Sequence, residues 1–465
     1  MAKHVVTSPE YQGFIRLLSA YETGPFVVRW GGNEQDKLTE VLEDAQWDAM
    51  RDLHANTGAV FMIGLNLRAR DPALAVQQVA AAMRFIPPEA ILAFNIGNEP
   101  DSYTYRENDS AVFPRDYWSG GGGNGTGYFG DMAAYCEALA PLFMQHFGTT
   151  KIVSGPGLAD NALWKDKQAK RYSLDAPLKG FASMITTHFY THRSTSADAS
   201  HKIFLSEKKL DLIHRRVRPW VRWATKARVP FRLEETNTLS IQGLPGASDT
   251  HAAGLFYIDY ALTMVAANVS GINLHDSWCS AYSPIVFPAL CQPRFADLGS
   301  CPDVCGYPDV PPLIRAPYYG MLFVQMAISG LPTLLTAGVE VEKTAGVVTK
   351  AHALVARGGD ELRIVVVRKG GDAPQRLFVR VHGEDYIEGS LALLEAPEYT
   401  SYHGEVTIAG QQVDELGRLT GERVLHAVAV EHVAGQSIYV LEMPPASAGL
   451  LVVRRLRGGG AAASN

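Results

Sequence analysis

Strand-like and helix-like segments alternate along residues 26–332, and this alternation constrains the fold more than any other feature of the chain. Short apolar runs bounded by turn residues predict buried strands, and amphipathic runs with helical spacing separate them. The pattern is typical of parallel strands with helices packed outside, as in a (β/α)8 TIM barrel. The predicted strands are Phe26–Trp30, Ala59–Leu65, Ile91–Ile96, Lys151–Ser154, Phe181–Thr187, Phe231–Leu233 and Gly271–Leu274. The predicted helices are Ala45–His54, Pro72–Phe85, Gly130–Phe147, Glu207–Lys226, Thr250–Ala267 and Pro317–Ser329.

Only seven barrel strands are visible in the sequence, whereas a closed barrel of this type needs eight. The eighth should precede Phe26, where residues 4–7 offer a weak candidate; the alternative is a chain that begins after that strand. Beyond residue 333 the helical runs stop, and short strands separated by turn residues predict an antiparallel β-sandwich. These strands are Val347–Val355, Leu362–Val367, Arg376–Val381, Arg423–Val430, Ser437–Leu441 and Gly449–Val453. We expect a barrel over residues 1–332, a β-sandwich over residues 333–456 and a disordered tail over residues 457–465.

Composition excludes several classes of partner. The chain has 465 residues, 47% of them hydrophobic and 19% charged, which allows a large core and more than one domain. Its net charge of −6 is mild for this size, so we expect neither nucleic acid nor an anionic membrane as partner. No apolar run approaches the ~20 residues that span a bilayer, and the N-terminus shows no signal-peptide pattern.

Four of the five cysteines fall in one predicted loop, at Cys279, Cys291, Cys301 and Cys305. Two disulfides would staple this loop in an oxidising compartment. A structural zinc site and free thiols are the alternatives, and the spacing matches no common zinc pattern. We favour disulfides. The protein would then be secreted or periplasmic, and otherwise cytoplasmic.

Two predicted strands end in a glutamate. Asn98, Glu99 and Pro100 follow the strand Ile91–Ile96, and Glu235 follows Phe231–Leu233. The carboxyl ends of barrel strands carry the chemistry of the fold, and two carboxylates there suit glycoside hydrolysis, as acid/base and nucleophile. The alternative is a pair of salt-bridged rim residues. Regular strand alternation would point only one of Glu234 and Glu235 inwards.

Four sequence blocks resemble glycoside hydrolase family 79, the β-glucuronidase and heparanase family. They occur in order over residues 26–332, on predicted strand ends. Arg29–Asp36 is similar to the family's R-x-G-G-N/T-x-x-D, and Ile96–Asp101 to its G-N-E-P block. Residues 235–250 resemble its nucleophile block, and residues 272–285 resemble the end of its eighth strand with the following tyrosine loop.

The resemblance implies a retaining clan A glycosidase in which Glu99 is the acid/base and Glu235, not Glu234, is the nucleophile. Tyr190 would hold the nucleophile, and Asp36 and Tyr282 would bind the sugar's hydroxyls and carboxylate. The full set of predicted substrate-binding residues is Asp36, Asn98, Tyr190, Asn237, Ser240, Gln242 and Tyr282. No cofactor and no metal are expected.

The chain departs from the family in two places. Animal heparanase-like members carry Tyr-Gly-Gly-Gly after the nucleophile, whose backbone amides receive the uronate carboxylate, whereas this chain has Ser240, Ile241, Gln242 and Gly243. The family's first strand and leading sandwich strand are also not visible. Because Arg29 should face structure inside its strand, we expect neutral hydrogen-bond donors rather than an ion pair to read the carboxylate.

The sequence therefore predicts a retaining β-glucuronidase that acts on a glucuronide or on a glucuronic-acid-containing oligo- or polysaccharide. One alternative is a related clan A glycosidase for a non-uronate β-sugar. Another is a carbohydrate-binding protein that has lost catalysis, against which the two glutamates and Asn98 argue. Exo or endo action and oligomeric state are not decided.

Overall fold

The protein is described here by a computed structural model. The structure describes residues 5–105, 113, 117, 127–159, 166–175, 178–277, 279–291, 310–335, 338–342, 349–357, 359–383 and 385–455. Cys301, Cys305 and the predicted tail lie outside these residues.

Seven parallel strands form one sheet in chain order, which confirms the predicted barrel. They are β1 (Val27–Trp30), β2 (Val60–Leu65), β3 (Ile91–Ile96), β4 (Val153–Leu158), β5 (Ala182–Arg193), β6 (Phe231–Ser240) and β7 (Ile272–Leu274). The sheet curls until its first and last strands meet. Where they meet, the Asn273 side-chain amide on β7 donates to the Val27 carbonyl on β1 at 2.8 Å. The barrel is therefore nearly closed.

Helices cover the outside of the sheet. They are α1 (Pro9–Ser19), α2 (Asp44–Thr57), α3 (Pro72–Phe85), α4 (Tyr128–Phe147), α5 (Asp166–Leu174), α6 (His201–Phe204), α7 (Glu207–Ala227), α8 (His251–Ala266) and α9 (Ala316–Ala327). Helix α3 begins where Asp71 caps the backbone N–H groups of Ala73 and Leu74, followed by Pro72. Helix α8 is apolar on almost every side because it packs between the barrel and the C-terminal sheets. None of the helices in the described residues has the length and apolarity needed to cross a bilayer.

The weak strand expected at residues 4–7 is wrong, because Val5 and Val6 lie in a helical turn. Helix α1 follows, with the Ser8 side chain accepting from the Tyr11 N–H and with Pro9 in the first turn. The buried residues Phe14, Ile15 and Leu18 of this helix have helical spacing in the sequence.

Two antiparallel sheets follow the barrel and pack face to face on a shared apolar core, as predicted for a β-sandwich. The first sheet holds β10 (Thr333–Leu335), β12 (Thr349–Val355), β13 (Glu361–Arg368), β22 (Ser447–Arg454), β15 (Gly389–Glu395), β16 (Thr407–Ile408) and β19 (His426–Val428). The second holds β11 (Val339–Val341), β14 (Gln375–His382), β21 (Gln436–Met443) and β20 (Val430–Val433). Two hairpin-like pairs complete the strands, β8 (Ile285–Val286) with β9 (Leu313–Ile314) and β17 (Gln412–Val413) with β18 (Leu419–Thr420). The boundary at residue 332 stays a prediction.

The sequence analysis missed β15, although it pairs with β22 in the middle of the first sheet. Its apolar run, Leu391–Leu394, is short and continuous, so it lacks the alternation of a strand with one face in water.

Candidate active site

The loop after β3 places Glu99 at the barrel mouth. Gly97 and Glu99 both have left-handed backbone angles, with φ of 84° and 51°. A Cβ at position 97 would lie 2.8 Å from the Leu67 side chain, so only glycine fits this turn. The Glu99 N–H donates to the Gly157 carbonyl at 2.9 Å, which fixes the loop to the end of β4. The turn thus directs the Glu99 carboxyl group into the barrel.

Both Glu234 and Glu235 point inwards, so the expectation that only one of them would do so is wrong. The reason is a β-bulge: on β5, Thr187 pairs with Leu233 and the next residue, His188, pairs with Glu235, which leaves Glu234 as an extra residue on β6. A bulge breaks the period-two alternation of side chains. Glu234 then contacts Asn95 on β3, whereas Glu235 contacts Arg29 on β1.

The two predicted catalytic carboxyl groups are close together. One oxygen of Glu99, one of Glu235 and one ring nitrogen of His188 all lie within 4.8 Å of one another. Retaining glycosidases hold their carboxyl groups about 5–5.5 Å apart, whereas inverting enzymes need about 6.5–9.5 Å to admit a water molecule. The close approach of one oxygen from each group places the two carboxyl groups side by side, as the shorter, retaining arrangement requires.

Glu235 is held as a carboxylate by the groups around it. Arg29 Nη1 lies 2.8 Å from Oε2, and the Tyr190 hydroxyl donates to Oε1 at 3.0 Å. His275 Nδ1 lies 3.4 Å from Oε1. Burial alone would raise the pKa of Glu235, but His188, His275, Arg29 and the Tyr190 hydrogen bond together hold this pKa well below its ordinary value. The group is therefore ionised at neutral pH, as a nucleophile must be.

Asn98 is fixed from three directions. Its backbone N–H donates to Asp36 Oδ2 at 3.2 Å, its amide group donates to Asn33 Oδ1 at 2.9 Å, and its Oδ1 accepts from Arg29 Nη2 at 2.8 Å. An amide nitrogen carries two hydrogens, so Asn98 keeps one donor beyond its bond to Asn33. Asp36 is only 7% exposed, and its carboxylate positions Asn98 by accepting from the Asn98 backbone N–H.

A cluster of rings lies on the other side of Glu235. His275 Nδ1 is 2.9 Å from the Tyr190 hydroxyl and 3.0 Å from the Tyr282 hydroxyl. The amide of Asn237 donates to the carbonyl oxygens of His275 and Tyr282, at 3.0 Å and 3.3 Å, and its Oδ1 accepts from the Thr238 N–H. Asn237 was predicted to bind substrate, but its side chain is occupied in holding this cluster.

The loop after β6 has an unusual backbone. Ile241, Gln242 and Gly243 have φ values of 60°, 64° and 79°, so three successive residues are left-handed. This conformation is costly for a β-branched residue such as Ile241 and is typical of strained functional loops. Gln242 Oε1 is buried without a hydrogen-bond partner among the described residues, and the residue lines the cavity. Ser240, at the end of β6, is half-buried.

Sequence reasoning missed three side chains of this site. It predicted a structural role for Arg29 inside its strand, whereas the Arg29 guanidinium bridges Glu235 and Asn98. His188 and His275 were noted only inside motifs, yet both lie within 4 Å of Glu235. The available signal was their position at the carboxyl ends of strands, where inward-facing polar residues are typical of catalytic sites.

A cavity of 930 Å³ opens onto these groups. Its lining includes Arg29, Glu99, Glu235, His275 and Tyr282, and it continues along the junction of β1 and β7 towards α1. Among the described residues, one cluster of potential metal ligands has the spacing of a cation site, and it consists of Glu99, His188 and Glu235. Arg29 already neutralises Glu235 there, so the cluster suits acid–base and nucleophilic chemistry.

The loop that carries Tyr282 is stapled by a disulfide between Cys279 and Cys291. This pairing agrees with the expectation of disulfides for the two cysteines that the structure describes. Cys136, the remaining described cysteine, is a buried free thiol.

No protein-family description matches the chain, and no curated protein sequence matches it. Solved structures do. A 4-O-α-L-rhamnosyl-β-D-glucuronidase from Fusarium oxysporum 12S, in complex with Rha-GlcA, has 15% identity and a TM-score of 0.71 over 95% of this chain and 91% of that one. An α-L-arabinofuranosidase from Thermotoga maritima has 14% identity and a TM-score of 0.59 over 95% and 89%. A family 39 glycoside hydrolase from Xanthomonas axonopodis pv. citri has 14% identity and a TM-score of 0.56 over 98% and 92%. The chain shares the fold of these clan A glycoside hydrolases over nearly its whole length.

Proposed function

We propose that the protein is a retaining β-glycoside hydrolase in which Glu235 is the nucleophile and Glu99 the acid/base. One observation carries the proposal: carboxyl oxygens of the two residues approach to within 4.8 Å inside a cavity. Two neighbouring carboxyl groups on one cavity suit a double displacement, in which one is the nucleophile and the other the acid/base. The fold shared with known glycoside hydrolases supports the same reading.

In the first step the ionised Glu235 attacks the anomeric carbon while Glu99 gives its proton to the leaving oxygen. The bond to the leaving group breaks and a glycosyl ester forms on Glu235. Arg29 and Tyr190 hold the Glu235 oxygens, so the attacking carboxylate is aligned before substrate binds.

In the second step Glu99, now a carboxylate, takes a proton from water as that water attacks the anomeric carbon. The ester bond breaks, and Glu235 is released as a carboxylate. Two displacements at one carbon leave its configuration unchanged. The donor that Asn98 keeps is available for a sugar hydroxyl, a contact that can strengthen in the transition state.

For the sugar, we propose β-linked glucuronic acid. The carboxylate would be read by neutral donors: the backbone amides of residues 240–243, the Ser240 and Tyr282 hydroxyls and the amide of Gln242. Residues 241–243 all have left-handed backbone angles, the conformation that a run of glycines adopts without steric cost. Arg29 is bound to Glu235 and Asn98 and is not available to the carboxylate. The Fusarium oxysporum neighbour, a glucuronidase bound to Rha-GlcA, favours the same class of sugar.

The second candidate is a related retaining glycosidase for a neutral β-sugar. The side chains of Ile241 and Gln242 favour it, because they restrict the backbone where a glycine run would receive a carboxylate. A catalytically inactive carbohydrate-binding protein is a third candidate. The low pKa of Glu235, maintained by His188, His275, Arg29 and the Tyr190 hydrogen bond, argues for a working nucleophile.

A panel of nitrophenyl glycosides tests the proposal. We expect turnover of the β-glucuronide, with retention of anomeric configuration by NMR, and a much lower kcat/KM for the β-glucoside, β-galactoside and α-arabinofuranoside. Preference for a neutral sugar would replace the uronate reading and leave the mechanism standing. Binding without turnover of any member would support the inactive binding protein.

A further inference from the structure

Arg232, on β6, is a buried cation without a carboxylate partner among the described residues. It is 9% exposed. Its hydrogen bond within the described part of the chain runs from Nε to Asn273 Oδ1, at 2.6 Å. The two terminal nitrogens, Nη1 and Nη2, have no partner there. A guanidinium stays charged in proteins, and a buried charge is costly unless an opposite charge or hydrogen bonds accompany it.

Two neighbouring residues fix the position of this guanidinium. Gly271, just before β7, makes room for it, because a Cβ at that position would collide with Nη1. Asn273, on β7, accepts from Arg232 Nε and donates to the Val27 carbonyl on β1. The guanidinium therefore lies beside the junction of β7 with β1, along which the cavity continues beyond the active site, and Arg232 belongs to the lining of that cavity.

A phenol adds a second donor beside Arg232. Tyr257, on α8, is 8% exposed and lines the same cavity, and its hydroxyl makes no hydrogen bond to any described residue. Burial raises the pKa of Tyr257 to about 12, and the charge of Arg232 opposes this rise. Charges act in this way over about 4–6 Å, so the two side chains are neighbours. The Tyr257 hydroxyl is protonated at neutral pH and can donate.

Apolar side chains line the cavity beyond these two donors. Those contributed by α8 and α9 are Ala261, Met264, Val265, Met321 and Val324. The three on α8 follow Tyr257 by four, seven and eight residues, which places all of them on one face of the helix. At 1.5 Å per residue, this face runs about 12 Å from Tyr257 to Val265. A ligand held by Arg232 would therefore find an apolar surface several carbon atoms long.

We infer that Arg232 and Tyr257 bind the carboxylate of a monocarboxylic acid whose apolar chain lies along α8. The two terminal nitrogens of a guanidinium form a fork that matches the two oxygens of a carboxylate, and the Tyr257 hydroxyl supplies a further donor. One negative charge offsets that of Arg232, whereas a doubly charged phosphate would need another cation. Arg29, the other arginine in this cavity lining, is bound to Glu235 and Asn98. The inference does not depend on the reaction proposed for Glu99 and Glu235.

The acidic groups of the barrel do not serve as the partner of Arg232. Burial lowers the pKa of Arg232 to about 10, and the charge of Glu234 opposes this only in part. Glu234 forms no ion pair with Arg232, and the Asn95 amide donates to its two oxygens at 3.1 Å and 3.2 Å. Glu235 is paired with Arg29 at 2.8 Å. Arg232 is thus cationic at neutral pH, and its charge is not fully offset within the described part of the protein.

Isothermal titration calorimetry of the wild-type protein at pH 7 tests the class of ligand. We expect hexanoate to bind at one site, about ten- to a hundredfold more tightly than hexanol, because hexanol has the same chain without the charge. Acetate, which lacks the chain, should bind at least about tenfold more weakly than hexanoate. Equal affinities for hexanoate and hexanol, tighter binding of inorganic phosphate than of hexanoate, or no binding of hexanoate would each overturn the inference.

Substitutions then locate the site. Arg232→Gln should weaken hexanoate binding by about tenfold or more, and Tyr257→Phe by about three- to tenfold. Arg222→Gln, which removes a half-exposed arginine on α7, is the matched control and should bind hexanoate as wild type does. Tyr282→Phe should also leave this affinity unchanged. Loss of binding in Tyr282→Phe but not in Arg232→Gln would place hexanoate in the active site and contradict the inference.

A measurement on the unsubstituted protein keeps the inference testable if Arg232→Gln does not fold. Met264 is fully buried and lines the cavity. In ¹³C-methyl-methionine NMR, the resonance lost in Met264→Leu identifies its methyl group. We expect hexanoate to shift this resonance in a saturable way, and an unmoved Met264 methyl group at saturating hexanoate would overturn the inference. Neither calorimetry nor this spectrum needs a glycoside, so both stand even if no glycoside is hydrolysed and the proposed function fails.

Discussion

At the scale of single residues, the division of labour between Glu99 and Glu235 can be read from their surroundings. Glu235 has a cation and a phenol on its oxygens, whereas an imidazole contacts Glu99. Removing either side chain therefore has a different chemical consequence.

We expect Glu235→Ala to lower kcat by about a thousandfold or more on every substrate, since no ester can form. Glu99→Ala should lose about 10²–10⁴-fold on a phenyl glucuronide but far less on a dinitrophenyl glucuronide, which needs little acid assistance. Azide should restore turnover only in Glu99→Ala and give a glycosyl azide of retained configuration, detected by NMR. Greater damage from Glu234→Gln than from Glu235→Gln would show that the nucleophile is misassigned.

Tyr282 tests the sugar carboxylate. Its hydroxyl lies 3.0 Å from His275 Nδ1. If this hydroxyl also contacts a uronate, Tyr282→Phe should lower kcat/KM for a glucuronide by about ten- to a hundredfold more than for the matching glucoside, mainly through KM. The glucoside is the internal control, because damage through His275 affects both sugars. Parallel losses would remove Tyr282 from the carboxylate site.

At the scale of elements, the sequence predicted the helices and strands that a repeated hydrophobic pattern defines. It did not predict a local irregularity that depends on one extra residue. The limits of α3 and β3 were predicted to the residue, because apolar spacing, Pro72 and the turn at Gly97 define them. The bulge at Glu234 could not be predicted, since the pairing of β5 with β6 decides which residue is extra. Arg29 was misjudged for a related reason: its partners, Glu235 and Asn98, are 206 and 69 residues away and meet it only when the barrel closes.

Helix α1 offers a test of packing between distant elements. A Cβ at Gly13 would lie 2.0 Å from the Leu416 carbonyl oxygen in the turn between β17 and β18. Gly13→Ala should therefore lower the free energy of unfolding by about 1–3 kcal/mol, although alanine favours helix by about 1 kcal/mol. Gly180→Ala is the control, because a Cβ there meets nothing within 4 Å. Denaturant unfolding measures both variants, and a stabilised Gly13→Ala would show that the contact is loose.

The disulfides predicted for the loop that carries Tyr282 can be tested chemically. Peptide mapping without reductant should recover Cys279 joined to Cys291. If Cys301 and Cys305 are also paired, the unfolded, unreduced chain should expose one thiol, that of Cys136. Bound zinc with all four loop cysteines reduced would contradict the predicted staple.

At the scale of the whole molecule, a buried charge cluster joins the barrel to the β-sandwich. Asp259 on α8 forms an ion pair with Lys369, next to β13, and lies 2.7 Å from His352 Nε2 on β12. Lys369 also reaches Glu207, at the start of α7. Burial would raise the pKa of Asp259, but the His352 hydrogen bond and the Lys369 charge outweigh it and lower this pKa to about 2.

This cluster should make stability depend on acid. Because the folded pKa lies below the ordinary value near 4, Asp259 stabilises the fold above about pH 4, and this contribution of about 2 kcal/mol is lost as pH falls towards 2. At neutral pH, Asp259→Asn should cost about 3–5 kcal/mol, because it leaves Lys369 buried without its charge partner. Urea unfolding of both proteins at pH 7, 4 and 3 should show their difference shrinking with acid. A constant difference would mean that Asp259 does not titrate with folding.

The bulge on β6 also bears on how such a site can be gained or lost in evolution. The residues on either side of Glu234 keep their partners on β5, Leu233 with Thr187 and Glu235 with His188. Deletion of a single codon at position 234 would therefore leave a regular strand with the nucleophile still opposite His188. A barrel can in this way acquire or discard an accessory acidic group by a one-residue insertion or deletion, without any change to its loops.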